Sequence, residues 1–254
     1  MLRAAIDRLL PGYRSRRTLE AFDTRIGVSG IRGKSSCVRW IHEALDRRGY
    51  DSHAKITGDY PILLHGDEAR EIERGGAQVS LYENHRLLSQ ALAGLEDADI
   101  DGGGDAGDVL AAEAVFENHG LREYTMRVFN DTFLDADLVV LLNVRQDHNS
   151  TLGRTRQEIA RSFARSIPEG CHVISGERHP AIHDYLAAEV EKRDGTIERV
   201  DVPEPHRELV GAEVVHCTDA VLRHVDGDGL PPERVQALLA QLQPVRWELG
   251  DGAR

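Results

Sequence analysis

The sequence has few lysines and an excess of acidic residues, and this imbalance limits the partners it can have. Lys34, Lys55 and Lys192 are its only lysines, and 43 acidic against 31 basic residues give a formal net charge of −12. A protein that binds nucleic acid needs a basic face to meet the phosphates, and nothing in the sequence suggests one. We therefore expect no nucleic-acid partner.

Cysteine and long apolar runs are also scarce. Cys37, Cys171 and Cys217 are widely spaced and lack a C-x-x-C pattern or the Cys/His ligand spacing of a zinc site. This spacing favours reduced, packed thiols over disulfides or structural zinc. No run of about 18 apolar residues occurs, so a membrane-spanning helix is not expected. The first ten residues are too charged for a signal peptide, and a cytoplasmic location is predicted.

The apolar pattern alternates between short β-rich runs and amphipathic stretches, which indicates an α/β fold. We expect a mostly parallel sheet with helices on both faces. The run at 138–142 is apolar throughout, as in a central strand buried on both faces. Strands are predicted at 25–29, 53–57, 109–114, 138–144, 172–175, 197–202 and 213–217, and helices at 34–48, 83–95, 154–166, 180–193 and 232–242.

A glycine-rich turn joins the first predicted strand to the first predicted helix. Gly30 and Gly33 let the backbone curl and turn its N–H groups inward, toward the positive end of the helix dipole. Lys34 would supply a charge for the β- and γ-phosphates, and Ser35 a hydroxyl for Mg²⁺. The turn departs from G-x-x-x-x-G-K-[ST], since no glycine fills the first position. The predicted nucleotide-binding residues are Ser29, Gly30, Ile31, Arg32, Gly33, Lys34, Ser35 and Ser36.

Two other segments are expected to meet this turn at the carboxyl ends of parallel strands, where open α/β sheets bind ligands. One delivers Glu113 from an apolar strand, and the other is Asn143-Val-Arg-Gln-Asp-His148. A carboxylate or an imidazole there can coordinate Mg²⁺. Taken alone, Glu113 is equally compatible with a surface acid at a strand end, and for an isolated His148 a loop histidine is the default interpretation. Arg145 is equally compatible with an ion pair.

Together these segments resemble the Mur ligase superfamily. The resemblance rests on the glycine-rich turn, on Lys55-Ile-Thr-Gly58, on Glu113-Ala114 and on the Asn-Val-Arg-x-Asp-His motif that ends at His148. It is greatest to the ATP-hydrolysing ligase subunits of poly-γ-glutamate synthesis, whose turn also has the Arg-Gly-Lys-Ser-Ser form. The resemblance implies a three-layer architecture like the central P-loop domain of Mur ligases.

The activity implied by the resemblance is that of an ATP-dependent acid–amino acid ligase, or of its nucleotide-binding subunit, with ATP and Mg²⁺ as cofactors. A glutamate-type carboxylate would attack the γ-phosphate of ATP, and an amine would then displace phosphate from the acyl phosphate to form an amide. The implied roles are catalytic for Lys34, Glu113 and His148, metal-binding for Ser35, Glu113 and His148, and substrate-binding for Arg74 and Arg145.

The implied organisation is an N-terminal helical segment at 1–24 and a Mur-ligase-like ATP-binding domain at 25–254, without a clear separate C-terminal ligase domain. Expected partners are a small-molecule or oligo-glutamate substrate, and either a membrane-associated synthase subunit or a second copy of the chain. Membrane association would then come through partners. The alternative is an Mg-ATP-binding interaction module that ligates nothing. A third interpretation is a small-molecule kinase or another phosphate-loop ATPase.

Overall fold

A computed structural model describes most of the predicted ATP-binding domain. The described residues are 19–58, 60–73, 87, 111–147 and 150–242. Arg74 and His148 lie outside them, as do the predicted helix at 83–95 except Leu87, and all but the last six residues of the predicted N-terminal segment. None of the described helices is long and apolar enough to cross a membrane.

The strands form one eight-stranded sheet. They are β1 (Thr24–Ser29), β2 (Asp51–Ile56), β3 (Ile62–His65), β4 (Glu68–Glu71), β5 (Ala112–Glu117), β6 (Leu138–Leu141), β7 (His172–Ser175) and β8 (Thr196–Arg199). Their spatial order is β4-β3-β2-β5-β1-β6-β7-β8. The six strands from β2 to β8 in this order run parallel, and the β3–β4 hairpin joins β2 antiparallel. The mostly parallel sheet is confirmed.

Helices cover both faces of this sheet. They are α1 (Lys34–Asp46), α2 (Glu123–Arg127), α3 (Arg156–Ala164), α4 (Pro180–Glu191), α5 (Ala212–Asp226) and α6 (Pro232–Gln241). Helices α1, α5 and α6 share one apolar core with one face of the sheet, and α2, α3 and α4 share a second core with the other. A capping box starts α3, in which Thr155 Oγ1 accepts the Glu158 N–H at 3.2 Å and the Glu158 carboxylate accepts the Thr155 N–H.

The continuous apolar run is buried on both faces, as predicted. Leu138 and Val140 of β6 belong to one core, and Val139 and Leu141 to the other. Alternate side chains of a strand point to opposite faces, so a strand between two helical layers needs apolar residues at every position. Strand β6 pairs with β1 on one side and β7 on the other, which confirms its internal position.

The three cysteines are free and buried, which confirms their assignment as packed thiols. Burial raises the pKa of both Cys37 and Cys171 to about 12. Burial also raises the pKa of Cys217 well above its ordinary value. Thiols with such pKa values stay protonated at neutral pH and are poor nucleophiles.

Two predicted strands are wrong in ways that affect the site. Residues 213–217 lie inside α5, which begins after Gly211 with φ 94°. A short apolar run such as this does not separate strand from buried helix by periodicity alone. The strand predicted at 109–114 begins at Ala112 and continues to Glu117. The shift places Glu113 near the amino end of β5.

Candidate active site

The glycine-rich turn forms a tight bend between β1 and α1. Strand β1 ends at Ser29, and α1 begins at Lys34. Gly30 has φ 128° and Gly33 has φ 88°, values that side-chain-bearing residues rarely adopt. A Cβ on Gly33 would lie 2.5 Å from Val214 Cγ2. Both backbone conformation and space therefore require glycine there, and the N–H groups at the start of α1 are left to face a ligand.

Asn143, two residues beyond β6, holds this turn in place. Its side chain donates to the Arg32 carbonyl oxygen at 3.0 Å and accepts the Arg32 N–H at 3.1 Å. The backbone carbonyl oxygen of Asn143 accepts the Ile31 N–H at 3.3 Å. The Asn143 amide also donates to Glu213, which forms an ion pair with Arg145 at 2.7 Å. The first residue of the Asn-Val-Arg motif thus fixes the backbone of the turn.

Lys34, Ser35 and Glu117 come together at the mouth of the turn. Ser35 Oγ donates to Glu117 Oε2 at 3.0 Å, and the Thr57 N–H donates to the same oxygen at 2.9 Å. Lys34 Nζ donates to the Gly30 carbonyl at 3.1 Å and lies 3.8 Å from Glu117 Oε1. Burial lowers the pKa of Lys34, and the nearby Glu117 carboxylate opposes this shift. A hydroxyl and a carboxylate are oxygen ligands of the kind that Mg²⁺ takes.

A cavity of about 250 Å³ lies beside this group. Ser29, Lys34 and Glu117 line its polar side, and Met126 and Phe163 belong to its apolar side. Ser29 Oγ is buried without a hydrogen-bond partner. The cavity is smaller than the roughly 300–1,000 Å³ typical of small-molecule sites.

Glu113 does not reach this group, and its predicted place beside Ser35 is wrong. Glu113 pairs with Thr24 at the amino end of β1, whereas Glu117 pairs with Val28 near its carboxyl end. At about 3.3 Å per residue, the two acids lie roughly 13 Å apart along β5. The sequence signal for Glu117 was its position at the end of the apolar run, directly before Asn118-His-Gly120.

The predicted arginines are held by acidic neighbours. The largely exposed Arg32 pairs with Asp147 at 2.6 Å, and Arg145 pairs with the buried Glu213. The roles predicted for Arg74 and His148 concern residues outside the described part of the chain. The substrate roles of Arg74 and Arg145 and the metal role of His148 stay predictions.

Glu177 is a buried acid that the sequence reasoning missed. It follows β7, and its carboxylate accepts the Val144 N–H at 2.7 Å and the His179 N–H at 2.7 Å. Arg156 joins the segments that follow β6 and β7, because it donates to Glu177 at 2.6 Å and to the Val144 carbonyl at 2.7 Å. This network fixes the start of the loop that leads from Asn143 toward residue 148.

The relatives found by comparison with curated proteins are CapB proteins. No family model matches the chain. The PGA synthase CapB of Bacillus subtilis (strain 168) is 26% identical over 168 residues, which are 65% of this chain and 39% of that protein. The capsule biosynthesis protein CapB of Bacillus anthracis is 25% identical over 178 residues, 69% of this chain and 35% of that protein. The chain is similar to the CapB proteins. It spans well under half the length of these CapB relatives.

Solved structures share the fold of this chain. E. coli FolC in complex with ADP aligns with a TM-score of 0.55 at 16% identity, covering 96% of this chain and 64% of that one. The apo form of L. casei FPGS aligns with a TM-score of 0.54 at 17% identity, covering 93% of this chain and 68% of that one. The fold is therefore Mur-ligase-like, as the resemblance implied.

Proposed function

We propose that this chain binds Mg-ATP and acts as an ATP-dependent carboxylate–amine ligase, or as the nucleotide-binding part of one. The observation that carries the proposal is the Ser35–Glu117 hydrogen bond at 3.0 Å, at the mouth of a glycine-rich turn that also presents Lys34. The similarity to CapB, a PGA synthase by name, supports a glutamate-type carboxylate as the substrate and poly-γ-glutamate synthesis as the process.

The residues at the site suit a bound nucleoside triphosphate. Lys34 is positioned to exchange its bond to the Gly30 carbonyl for one to a γ-phosphate oxygen. Ser35 and Glu117 would hold Mg²⁺, with His148 as a further proposed ligand. When bound, the cation offsets charge on the phosphate oxygens. Fold neighbours include an FPGS–AMPPCP complex and a Yersinia pestis synthase with AMPPNP and Mn, which supports a nucleotide with a divalent metal here.

The proposed reaction has two steps. A carboxylate oxygen of the acceptor attacks the γ-phosphorus, the bond to the β-phosphate oxygen breaks, and ADP leaves an acyl phosphate behind. An amine nitrogen then attacks the acyl carbon, phosphate departs, and the amine loses a proton. The fixed turn contributes by positioning and by electrostatic stabilisation of the phosphate oxygens.

An anionic acceptor meets a chain of net charge −12, so local positive charge is needed to receive it. Arg32 and Arg145 are partly exposed near the turn and are proposed, with Arg74, to bind the acceptor. A membrane-associated synthase subunit or a second copy of the chain is the proposed partner, with the chain itself in the cytoplasm.

The test is incubation of the chain with Mg-ATP and glutamate, with and without co-purified partners. Mass spectrometry would detect a γ-linked product, and phosphate release would be measured in parallel. Product that depends on ATP supports the ligase. Nucleotide binding without any turnover, in either condition, would instead support the non-ligating interaction module.

Lys34→Ala tests the site itself. Loss of a charge-assisted hydrogen bond of about 1.5–3 kcal/mol should weaken nucleotide binding roughly ten- to hundredfold. Lys192→Ala is the matched control, because Lys192 is an exposed lysine paired with Glu189 on α4's C-terminal side. Unchanged affinity in Lys34→Ala would contradict the site assignment.

A further inference from the structure

Two histidines and an aspartate cluster at the amino end of β2, which is the end of the sheet opposite the glycine-rich turn. Asp51 begins β2, His53 follows two residues later, and His65 ends β3 directly across from His53. Alternation along β2 and the antiparallel register put all three side chains on the same face. Among the residues that the structure describes, this is the one group of three or more potential ligand side chains whose donor atoms lie within 4.8 Å of one another.

The donor atoms are already close to a coordination sphere. Asp51 Oδ1 lies 2.8 Å from His65 Nε2 and 3.2 Å from His53 Nε2. His53 is 3% exposed, and its buried Nε2 has no hydrogen-bond partner, although it lies 3.2 Å from Asp51 Oδ1. A buried imidazole nitrogen left without a hydrogen bond is unfavourable unless something else meets its lone pair or its proton.

We propose that Asp51, His53 and His65 form a binding site for a divalent transition-metal ion of the zinc class. Two imidazole nitrogens and one carboxylate oxygen suit Zn²⁺ and are a poor set for Mg²⁺, which prefers oxygen ligands alone. Bonds of about 2.0–2.2 Å around a tetrahedral ion require ligand atoms a little over 3 Å apart. The present distances therefore need only a small expansion, and solvent supplies the fourth ligand.

The ring arrangement shows which ligand adjusts. The His53 and His65 rings stack with centroids 4.2 Å apart and an interplanar angle of 12°, so they must tilt apart before both nitrogens face one ion. The His65 side chain is 55% exposed and is held by Asp51 and the His53 ring alone among the contacts described above, so it is the more adjustable of the two rings. His53 is fixed, since its ring meets the edge of Phe22 at a centroid distance of 5.7 Å. One rigid ligand and one adjustable ligand fit this requirement.

The position of the cluster points to a structural role. A metal bound there would join β3, and through it the β3–β4 hairpin, to β2 at the edge of the sheet. The hairpin otherwise ends the sheet with β4, all of whose residues are exposed. Thr57, which contacts Glu117, lies six residues beyond Asp51, or roughly 20 Å along an extended strand. The metal site is therefore separate from the proposed nucleotide site.

The experiment uses tag-free protein that has been freed of metal with a chelator. Isothermal titration with Zn²⁺ alone should give one equivalent bound, and thermal unfolding should shift upward when that equivalent is present. Co²⁺ in place of Zn²⁺ should produce a visible absorption band of tetrahedral character. His65→Ala should lower Zn²⁺ affinity at least about tenfold, and because His65 is exposed this variant should fold.

Two matched variants serve as controls. His172 and His224 also stack, with centroids 4.6 Å apart, but no carboxylate joins them in a third position among the described residues, so His172→Ala should retain Zn²⁺ binding. Glu117→Gln should retain Zn²⁺ binding as well, because Glu117 lies at the opposite, carboxyl end of the parallel strands. No stoichiometric Zn²⁺ binding, unchanged affinity in His65→Ala, or equal loss in His172→Ala would each overturn the proposal.

Discussion

Replacing Glu113 with glutamine should make the protein more stable at neutral and alkaline pH. Glu113 is 1% exposed, and its Oε2 atom is buried without a hydrogen-bond partner. Burial raises the pKa of Glu113 from its ordinary 4.5 to about 7; a hydrogen bond from Thr24 opposes this shift, and the charges of Asp23 and Asp137 add to it. Glutamine keeps the shape of the protonated carboxyl group and cannot ionise.

The magnitude and pH window follow from this pKa. Between pH 4.5 and about 7 the folded protein keeps the Glu113 proton, whereas the unfolded chain releases it. The free energy of unfolding contributed by this group is therefore greatest below pH 4.5 and falls as the pH rises toward 7. Each pKa unit corresponds to about 1.4 kcal/mol, so the full loss amounts to roughly 3 kcal/mol.

The assay is urea unfolding of wild type and Glu113→Gln across this pH range, followed by circular dichroism. The free energy of unfolding of Glu113→Gln, relative to that of wild type, should increase by roughly 3 kcal/mol from acid to alkaline pH. Most of this increase should occur below about pH 7. Glu71→Gln is the control, since Glu71 is exposed on β4 and its surroundings change little on unfolding. A wild-type minus Glu113→Gln difference that does not vary with pH would refute the reasoning.

Two further substitutions test the glycine-rich turn. Gly33→Ala should cost about 1–2 kcal/mol for its left-handed backbone and roughly 1–3 kcal/mol more for overlap with Val214, as measured by urea unfolding. Gly49→Ala should cost only the first amount, since Gly49 has the same φ of 88° and open space around it. Asn143→Ala should cost about 1–3 kcal/mol, because it leaves the Arg32 backbone groups without their partner, and titration should show weaker nucleotide binding.

The parts of the fold that depend on local signals could be predicted from the sequence. The path from β1 through the glycine-rich turn to α1 is encoded within a dozen neighbouring residues, and β6 is marked by an apolar residue at every position. The β3–β4 hairpin carries no such mark. The residues of β4 are all exposed, so β4 lacks the alternation that reveals a half-buried strand.

The site was only partly predictable because its geometry depends on strand register. The run from Ala112 to Glu117 has an acid near each end. Only the pairing with β1 decides which of the two acids lies level with the carboxyl end of β1, where the glycine-rich turn begins. Glu177 and the Asp51, His53 and His65 cluster likewise arise from contacts between distant segments. The helix that contains Glu213 resembled a strand because its first turns are rich in buried apolar residues.

The central claim is that Ser35 and Glu117, and not Glu113, hold the metal that accompanies ATP. The most direct test is the affinity for a non-hydrolysable ATP analogue with and without Mg²⁺ in wild type, Glu117→Gln and Glu113→Gln. Mg²⁺ should increase affinity in wild type and Glu113→Gln and have little effect in Glu117→Gln. An undiminished Mg²⁺ effect in Glu117→Gln, or its loss in Glu113→Gln, would contradict the account.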